Sequence, residues 1–277
     1  MTRDAPREAI DFRDATTRLL AALHDCGEVA IAVSGGVDSL TLAAFAHRHL
    51  GERAVMVHAV SPAVPNEATE RVKSLAEERG ARLALIDAGE FADEAYRSNP
   101  LNRCYFCKSH LYDAIRRRFD LTLLSGSNLD DLSDFRPGLT AAAERGVRHP
   151  FVEAGLTKAR VRELARHLGL GAVAELPAAP CLSSRVETGI RIEASVLALV
   201  DALEAELRHA VSPRTVRCRV RQRGVIVEMD EASLSAWPAE ARLEWTERIA
   251  ARARAAGLKG GVGFEVYRQG SAFLRPA

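Results

Sequence analysis

VAIAVSGGVDSLTLAAFAHRHLG, residues 29–51, reads as a strand, a glycine-hinged turn and a helix in immediate succession. Val29–Val33 is a continuous β-prone run, as expected of a strand covered on both faces. Ser34-Gly35-Gly36 ends it, and glycines let a backbone turn sharply and approach an anion closely. Leu40–Leu50 carries apolar residues at helical spacing, and Gly51 supplies the C-terminal cap. A helix that follows such a turn offers unpaired N–H groups and a positive dipole end to an anion. Ser34 and Ser39 add hydroxyl donors, and Asp38 is the informative residue. A carboxylate in a phosphate loop makes sense chiefly if a divalent cation, Mg2+ for a nucleotide, bridges it to the phosphates. That combination suits pyrophosphate better than a monophosphate. The lysine of a Walker A loop and a G-x-G-x-x-G fingerprint are both missing. The plainer alternative is a tight turn built from small residues, and the strand and helix on either side of the string disfavour it.

Outward from this stretch, short apolar runs alternate with amphipathic ones over residues 29–170, the pattern of a parallel sheet flanked by helices. Ala54–Val60, Arg82–Ile86 and Leu121–Leu124 read as further strands. Glu67–Arg79, Lys108–Arg118 and a helix capped by Thr157 read as helices. The last of those strands runs into GSNLDD, Gly126–Asp131. Leu176–Ser184 is rich in Pro, Ala and Ser and reads as a loop. A helix (192–208), strands at 215–223 and 225–229, a helix (243–255) and a strand (263–268) follow. The expected architecture is α/β: a doubly wound, mostly parallel sheet over residues 1–185, with a small α+β domain over 186–277 for substrate contact or self-association.

The chain has 277 residues, a formal net charge of +1 and 47% hydrophobic residues, so no global field calls for nucleic acid or an anionic membrane. MTRDAPREAIDFRD at the N-terminus lacks an apolar signal core, and no apolar run approaches the length of a membrane span. A cytoplasmic protein with reduced thiols is expected, and an odd count of five cysteines argues against a disulfide framework. Cys104-Tyr105-Phe106-Cys107 could place two thiolates on one metal or cluster, with Cys181 as a remote third ligand. Spacing leaves three arrangements open: an iron–sulfur cluster with an exchangeable position, a zinc site completed by His110, or no metal. Cys26 and Cys218 read as packing residues, and His58 as a structural one.

SGGVDS after a first strand resembles the PP-loop family of ATP pyrophosphatases. Members share a doubly wound α/β fold and split ATP into AMP and pyrophosphate to activate a carboxyl or carbonyl oxygen. The resemblance narrows with RCYFCKSHLY (103–112), SNLDDLSDFRPGLTAAAERGVRHPF (127–151), LTKARVRELARHLGL (156–170) and PCLSSR (180–185). Together these are similar to the LarE family of ATP-dependent sulfur transferases of nickel-pincer cofactor synthesis, densest over residues 31–189. The resemblance implies adenylation of a nicotinate-derived mononucleotide on its carboxylate, then attack by the cysteine matching Cys181. In one branch that cysteine gives up its own sulfur. In another, cysteines matching Cys104, Cys107 and Cys181 hold a 4Fe-4S cluster that carries an extra sulfide for transfer; this chain has all three, so the resemblance favours that branch. Where the family often has Pro-Tyr-Gly after the arginine matching Arg185, this chain has Val186-Glu187-Thr188-Gly189. Its end motif is Tyr267-Arg268-Gln269-Gly270-Ser271, which leaves the acceptor open.

Arg217, Arg219, Arg221 and Arg223 recur at alternate positions of an expected strand, so they share one face and repel unless anions lie against them. A substrate clamp and a charged, solvated edge strand are the two readings, and Arg219 and Arg221 match a family Arg-x-Arg pair. Asp130 and Asp131, at the carboxyl end of the sheet, suit magnesium or nucleotide contact, or an Asx-type turn. Gly126 belongs with the nucleotide site, and Arg136 and Arg185 with the substrate; Glu228 is a weaker candidate. The expected partners are a nucleotide-like small molecule, a second copy of the chain and a sulfur-donor system. Rival readings are a tRNA thiolation enzyme, which would need a broad basic surface, and a nucleotide-binding protein that does not cleave ATP.

Overall fold

The computed structural model describes residues 11–133, 136–177 and 180–268. Gln269, Gly270 and Ser271 of the end motif, Asp134 and Phe135, and the first ten residues lie outside the described residues. The strands are β1 (Val29–Ala32), β2 (Ala54–Ala59), β3 (Arg82–Ile86), β4 (Thr122–Ser125), β5 (Val216–Arg221), β6 (Gly224–Met229) and β7 (Gly261–Val266). The first helices are α1 (Phe12–Cys26), α2 (Val37–Leu50), α3 (Asn66–Arg79), α4 (Glu94–Arg97), α5 (Arg103–Arg118) and α6 (Pro137–Glu144). After them come α7 (Pro150–Glu153), α8 (Lys158–His167), α9 (Ala194–Val211), α10 (Glu231–Ala236) and α11 (Ala239–Ala255).

The elements form two compact units, and the chain passes between them more than once. The first comprises residues 11–60, 67–88 and 108–177; the second comprises 61–66, 89–107 and 180–268. In place of the expected single boundary between 185 and 186, two internal segments and the Cys181 loop join the C-terminal part. Ala63, Tyr96 and Leu182 explain this, because all three are buried in the second unit's apolar core.

In the first unit, all strand pairs are parallel and the order is β3-β2-β1-β4. Alternate residues of each strand serve opposite faces. Val29 and Ile31 of β1, Met56 of β2 and Leu124 of β4 pack with Leu19, Leu40, Phe45 and Leu164. Ala30 and Ala32 of β1, Val55 and Val57 of β2 and Leu123 of β4 pack with Tyr112, Ile115 and Ala142. Both faces are covered by helices, which makes the sheet doubly wound and explains its unbroken apolar runs.

The second unit holds an antiparallel β5–β6 hairpin extended by β7, which is parallel to β6. Val216, Cys218 and Val220 of β5 pack with Leu197, Val200 and Leu203 of α9 and with Ile249 of α11. Among the described residues no helix is long and apolar enough to cross a membrane. All five cysteines lie within the described residues, and none of them forms a disulfide.

His58 in β2 is buried, with Nδ1 2.7 Å from the Val33 carbonyl oxygen and Nε2 3.0 Å from Thr69 Oγ1. Burial holds its pKa below the ordinary imidazole value, and burial does the same to His149. The unfolded chain takes up these protons near pH 6.5, where the folded chain does not, so stability is complete above about pH 6.5. It falls as the pH drops from there toward the lowered folded values, by at most about 1.4 kcal/mol per pH unit for each histidine. Thermal melts between pH 8 and 5 should show this decline, and His58→Gln should make it shallower.

Candidate functional site

The chain builds outward from β1 to β2 and β3, then returns to the other side of β1 as β4. At such a reversal the connections leave the carboxyl ends of neighbouring strands in opposite directions, and a crevice opens there. Residues 34–39 follow β1 and Gly126–Asp131 follow β4, so both expected nucleotide segments stand at that point. Gly35 has φ +80°, and a Cβ on it would lie 2.6 Å from the Ala68 carbonyl oxygen. A Cβ on Gly126 would lie 2.9 Å from the Asp38 carbonyl carbon and from the Ser39 nitrogen. Only glycine lets the two segments approach this closely.

The α2 helix begins at Val37, one turn earlier than the apolar pattern implied, and its N-cap Gly36 makes no side-chain cap. Its first N–H groups therefore face the crevice without a side-chain acceptor. Ser39 is buried and braces the turn: its Oγ accepts from the Ser34 N–H at 3.1 Å and donates to the Gly36 carbonyl at 3.1 Å. Ser34 is exposed and its Oγ lies 3.2 Å from Ser39 Oγ.

Asp38 is half-buried. Its Oδ1 accepts from Asn128 Nδ2 at 3.2 Å and its Oδ2 pairs with Lys158 Nζ. Neither Asn128 nor Lys158 was a sequence candidate. Lys158 stands at the first position of α8, directly after the expected Thr157 cap, where a cation opposes the helix dipole; that misplaced charge was the available signal. Asp130 is exposed and accepts from the Lys158 N–H at 2.8 Å. Asp131 accepts from the Asn128 N–H at 3.0 Å and pairs with Arg136 at 2.9 Å. The two aspartates thus organise the turn and the start of α8. Mg2+ is commonly held by one or two carboxylates plus phosphate oxygens and water, and the half-exposed Asp38 fits that donor set.

The three candidate sulfur-site cysteines, Cys104, Cys107 and Cys181, lie in the second unit. Cys104 and Cys107 are three residues apart in the first turns of α5 and so share a face; both are half-buried, as is Cys181. Tyr96 is buried with its hydroxyl 2.7 Å from Ser183 Oγ. Burial, then the neighbouring Cys181, and further the neighbouring Cys107, raise its phenol pKa despite that hydrogen bond. Among the described residues no three His, Cys, Asp or Glu side chains converge on one ion site, so Cys104, Cys107 and Cys181 are not drawn together as a ligand set. His110 lies one turn beyond Cys107 and is half-buried. Cys26 and Cys218 are packing residues, with burial raising both thiols.

The arginine stripe is not a solvated edge. Arg217 and Arg219 are buried, and Arg223 alone of the four is exposed. The anion that the stripe requires is in part the chain's own. Buried Glu228 on β6 accepts from Arg219 Nε and from Arg221 Nη2, each at 2.9 Å. Arg185 is likewise buried, against Glu204. Removing one partner of a buried pair costs about 3–5 kcal/mol, since the other charge is left uncompensated.

A doubly wound parallel sheet with an acidic, glycine-hinged anion turn at its switch point defines the class of the first unit: a PP-loop nucleotide fold. No protein-family model matches the chain. It is 41% identical over 204 residues to an uncharacterised protein of Synechocystis sp., covering 72% of this chain and 75% of that one. It is 34% identical over 221 residues to pyridinium-3,5-bisthiocarboxylic acid mononucleotide synthase of Lactiplantibacillus plantarum, covering 78% and 79%. An uncharacterised protein of Methanocaldococcus jannaschii is 25% identical over 209 residues. The chain belongs to the LarE family of ATP-dependent sulfur transferases.

Gly126→Ala should weaken ATP binding at least about tenfold and cost about 1–3 kcal/mol of stability, because backbone atoms cannot yield to the new methyl. Gly36→Ala meets only Ser34 Oγ, at 3.6 Å, and should cost no more than the N-cap preference it loses, about 1 kcal/mol. Calorimetric titration and urea melts of the two variants check the contrast.

Proposed function

We propose that this protein adenylates a carboxylate of a pyridine mononucleotide and exchanges one of its oxygens for sulfur carried by Cys181. The observation that carries the reading is Asp38 at the uncapped start of α2, held by Asn128 and Lys158 beside the Gly126 turn. The relative named for a pyridinium bisthiocarboxylic acid mononucleotide supports the substrate class.

The first step forms a bond from carboxylate oxygen to the α-phosphorus and breaks the α–β bridge, releasing pyrophosphate. The Ser34–Ser39 turn and the start of α2 hold the outer phosphates, and Asp38 would hold Mg2+, which would supply charge to offset theirs. Lys158, paired to Asp38, is the counter-cation that keeps the carboxylate in an anion site. In the second step the Cys181 sulfur, as thiolate, attacks the activated carbon and AMP departs. An oxygen bound to carbon leaves poorly as oxide and well as AMP. Breaking the Cβ–Sγ bond of Cys181, with loss of its Cα proton, then yields the thiocarboxylate and dehydroalanine. Arg136, Arg219 and Arg221 are the proposed contacts to the anionic substrate. Arg221 Nε is buried without a hydrogen-bond partner among the described residues, which supports a donor role for it.

A second reading is a 4Fe-4S cluster on Cys104, Cys107 and Cys181; Cys104 and Cys107 three residues apart on one helix, in the same unit as Cys181, are what favours it. Five cysteines outside any disulfide suit the reducing cytoplasm, and self-association through the second unit belongs to the same proposal.

Asp38→Asn should lower Mg2+-dependent pyrophosphate release at least about hundredfold. Cys181→Ala should still release AMP and pyrophosphate but form no thiolated product. Loss of the elements of hydrogen sulfide from the Cys181 peptide after turnover supports the sacrificial route. Iron and labile sulfide in anaerobically purified protein, with Cys181 intact, support the cluster. Neither result, or no pyrophosphate at all, overturns the function.

A further inference from the structure

We propose that Glu204, acting through Arg185, is the residue that positions Cys181. The inference deepens the function above and rests on it for what Cys181 does. Around Cys181 the chain has no strand or α-helix: Leu182–Arg185 is one 3-10 turn with Cys181 as its N-cap. Such a segment takes a fixed position only if side chains supply the hydrogen bonds that regular structure would give.

Arg185 and Glu204 supply them from inside the unit, with 3% and 1% of their surface exposed. They meet as two forks, Nε to Oε1 and Nη2 to Oε2, each at 2.9 Å. Arg185 Nη1 turns back on the loop, donating to the Pro180 carbonyl at 2.6 Å and the Cys181 carbonyl at 3.2 Å. Those two carbonyls flank the Cys181 Cα. Glu204 Oε1 also accepts from the Cys218 N–H of β5 at 2.9 Å, so the carboxylate is itself tied to the sheet.

The far side of the loop is held as well. The Leu182 N–H donates to the Ala63 carbonyl at 2.8 Å, Ser183 Oγ meets the Tyr96 hydroxyl at 2.7 Å, and Arg219 Nη1 donates to the Ser184 carbonyl at 2.9 Å. Backbone or side chain is fixed at each residue from Pro180 to Ser184, while the Cys181 side chain stays half-exposed. A planar, always-charged fork can hold a carboxylate and two carbonyls at once; an ammonium cannot. This moves Arg185 from substrate contact to positioning residue.

The test reads the loop directly. Glu204→Gln keeps size and one acceptor but loses charge, and Arg185→Lys keeps charge but loses the fork. In both, alkylation of Cys181 by iodoacetamide, followed on its own peptide by mass spectrometry, should quicken at least about tenfold. Thiolated product should fall at least about tenfold in Glu204→Gln while ATP affinity stays within about twofold, and Glu204→Asp should lie between it and the parent. Alkylation within about twofold of the parent in the folded variants overturns the proposal. In the unsubstituted protein, amides 182–186 should exchange with solvent at least about a hundredfold more slowly than a free chain. Free-chain exchange there overturns it even if neither variant folds. Alkylation and exchange need no turnover: a parent that makes no thiolated product refutes the function alone, and unchanged alkylation refutes the positioning role alone.

Discussion

The parallel pairing of β1 with β2 on one side and β4 on the other is the constraint from which the nucleotide end follows. A strand between two parallel neighbours sends its own continuation and theirs out of the same end of the sheet. Because β4 comes back to the opposite edge of β1, the turn after β1 and the turn after β4 lie side by side with no crossing connection over them. Their separation is then set by side-chain bulk, and Gly126 removes that bulk where it faces the backbone of Asp38 and Ser39. Asn128 reaches Asp38 because of this approach.

Charge balance explains the rest of that end. An anion site normally excludes carboxylates, and Asp38 is stable there because a cation and an amide meet its two oxygens. Many phosphate loops carry a lysine within the loop itself. Here the loop has none, and Lys158 arrives from the start of α8, placed by the Thr157 cap and by Asp130 on its N–H. The loop's missing lysine and the presence of an acid in it are therefore two sides of one arrangement.

The first unit was legible because its signals are local. A β-prone run, two glycines and an amphipathic helix each follow from nearby residues, and the helix after β1 was misjudged only by one turn, since Val37–Ser39 carry no apolar period. Asn128 and Lys158 were not legible as Asp38 partners, being 90 and 120 residues away from it. The alternate spacing of the arginine stripe shows a need for anions but leaves a clamp and a solvated edge equally open. Glu228 as their partner depends on the β5–β6 register that sets Arg217 opposite it, which no periodicity states. Segments 61–66 and 89–107 lack a repeating apolar pattern, and only the buried Ala63 and Tyr96 reveal which core they serve.

The second unit raises a different question: why a domain of modest size buries Arg185, Arg219, Glu204 and Glu228 at all. Apolar residues of similar volume commonly match or exceed the stability of a buried ion pair, because desolvation offsets most of the attraction. Stability is thus a weak reason for these pairs. Direction is a stronger one: a fork fixes the orientation of whatever it holds, whereas an apolar contact fixes only its distance. Both buried arginines also donate to carbonyls of the Pro180–Ser184 segment, which no sheet or helix restrains. The proposed attack of the Cys181 thiol on an activated carbon needs its backbone held on several sides, and here buried charge does what hydrogen-bonded secondary structure does elsewhere in the chain.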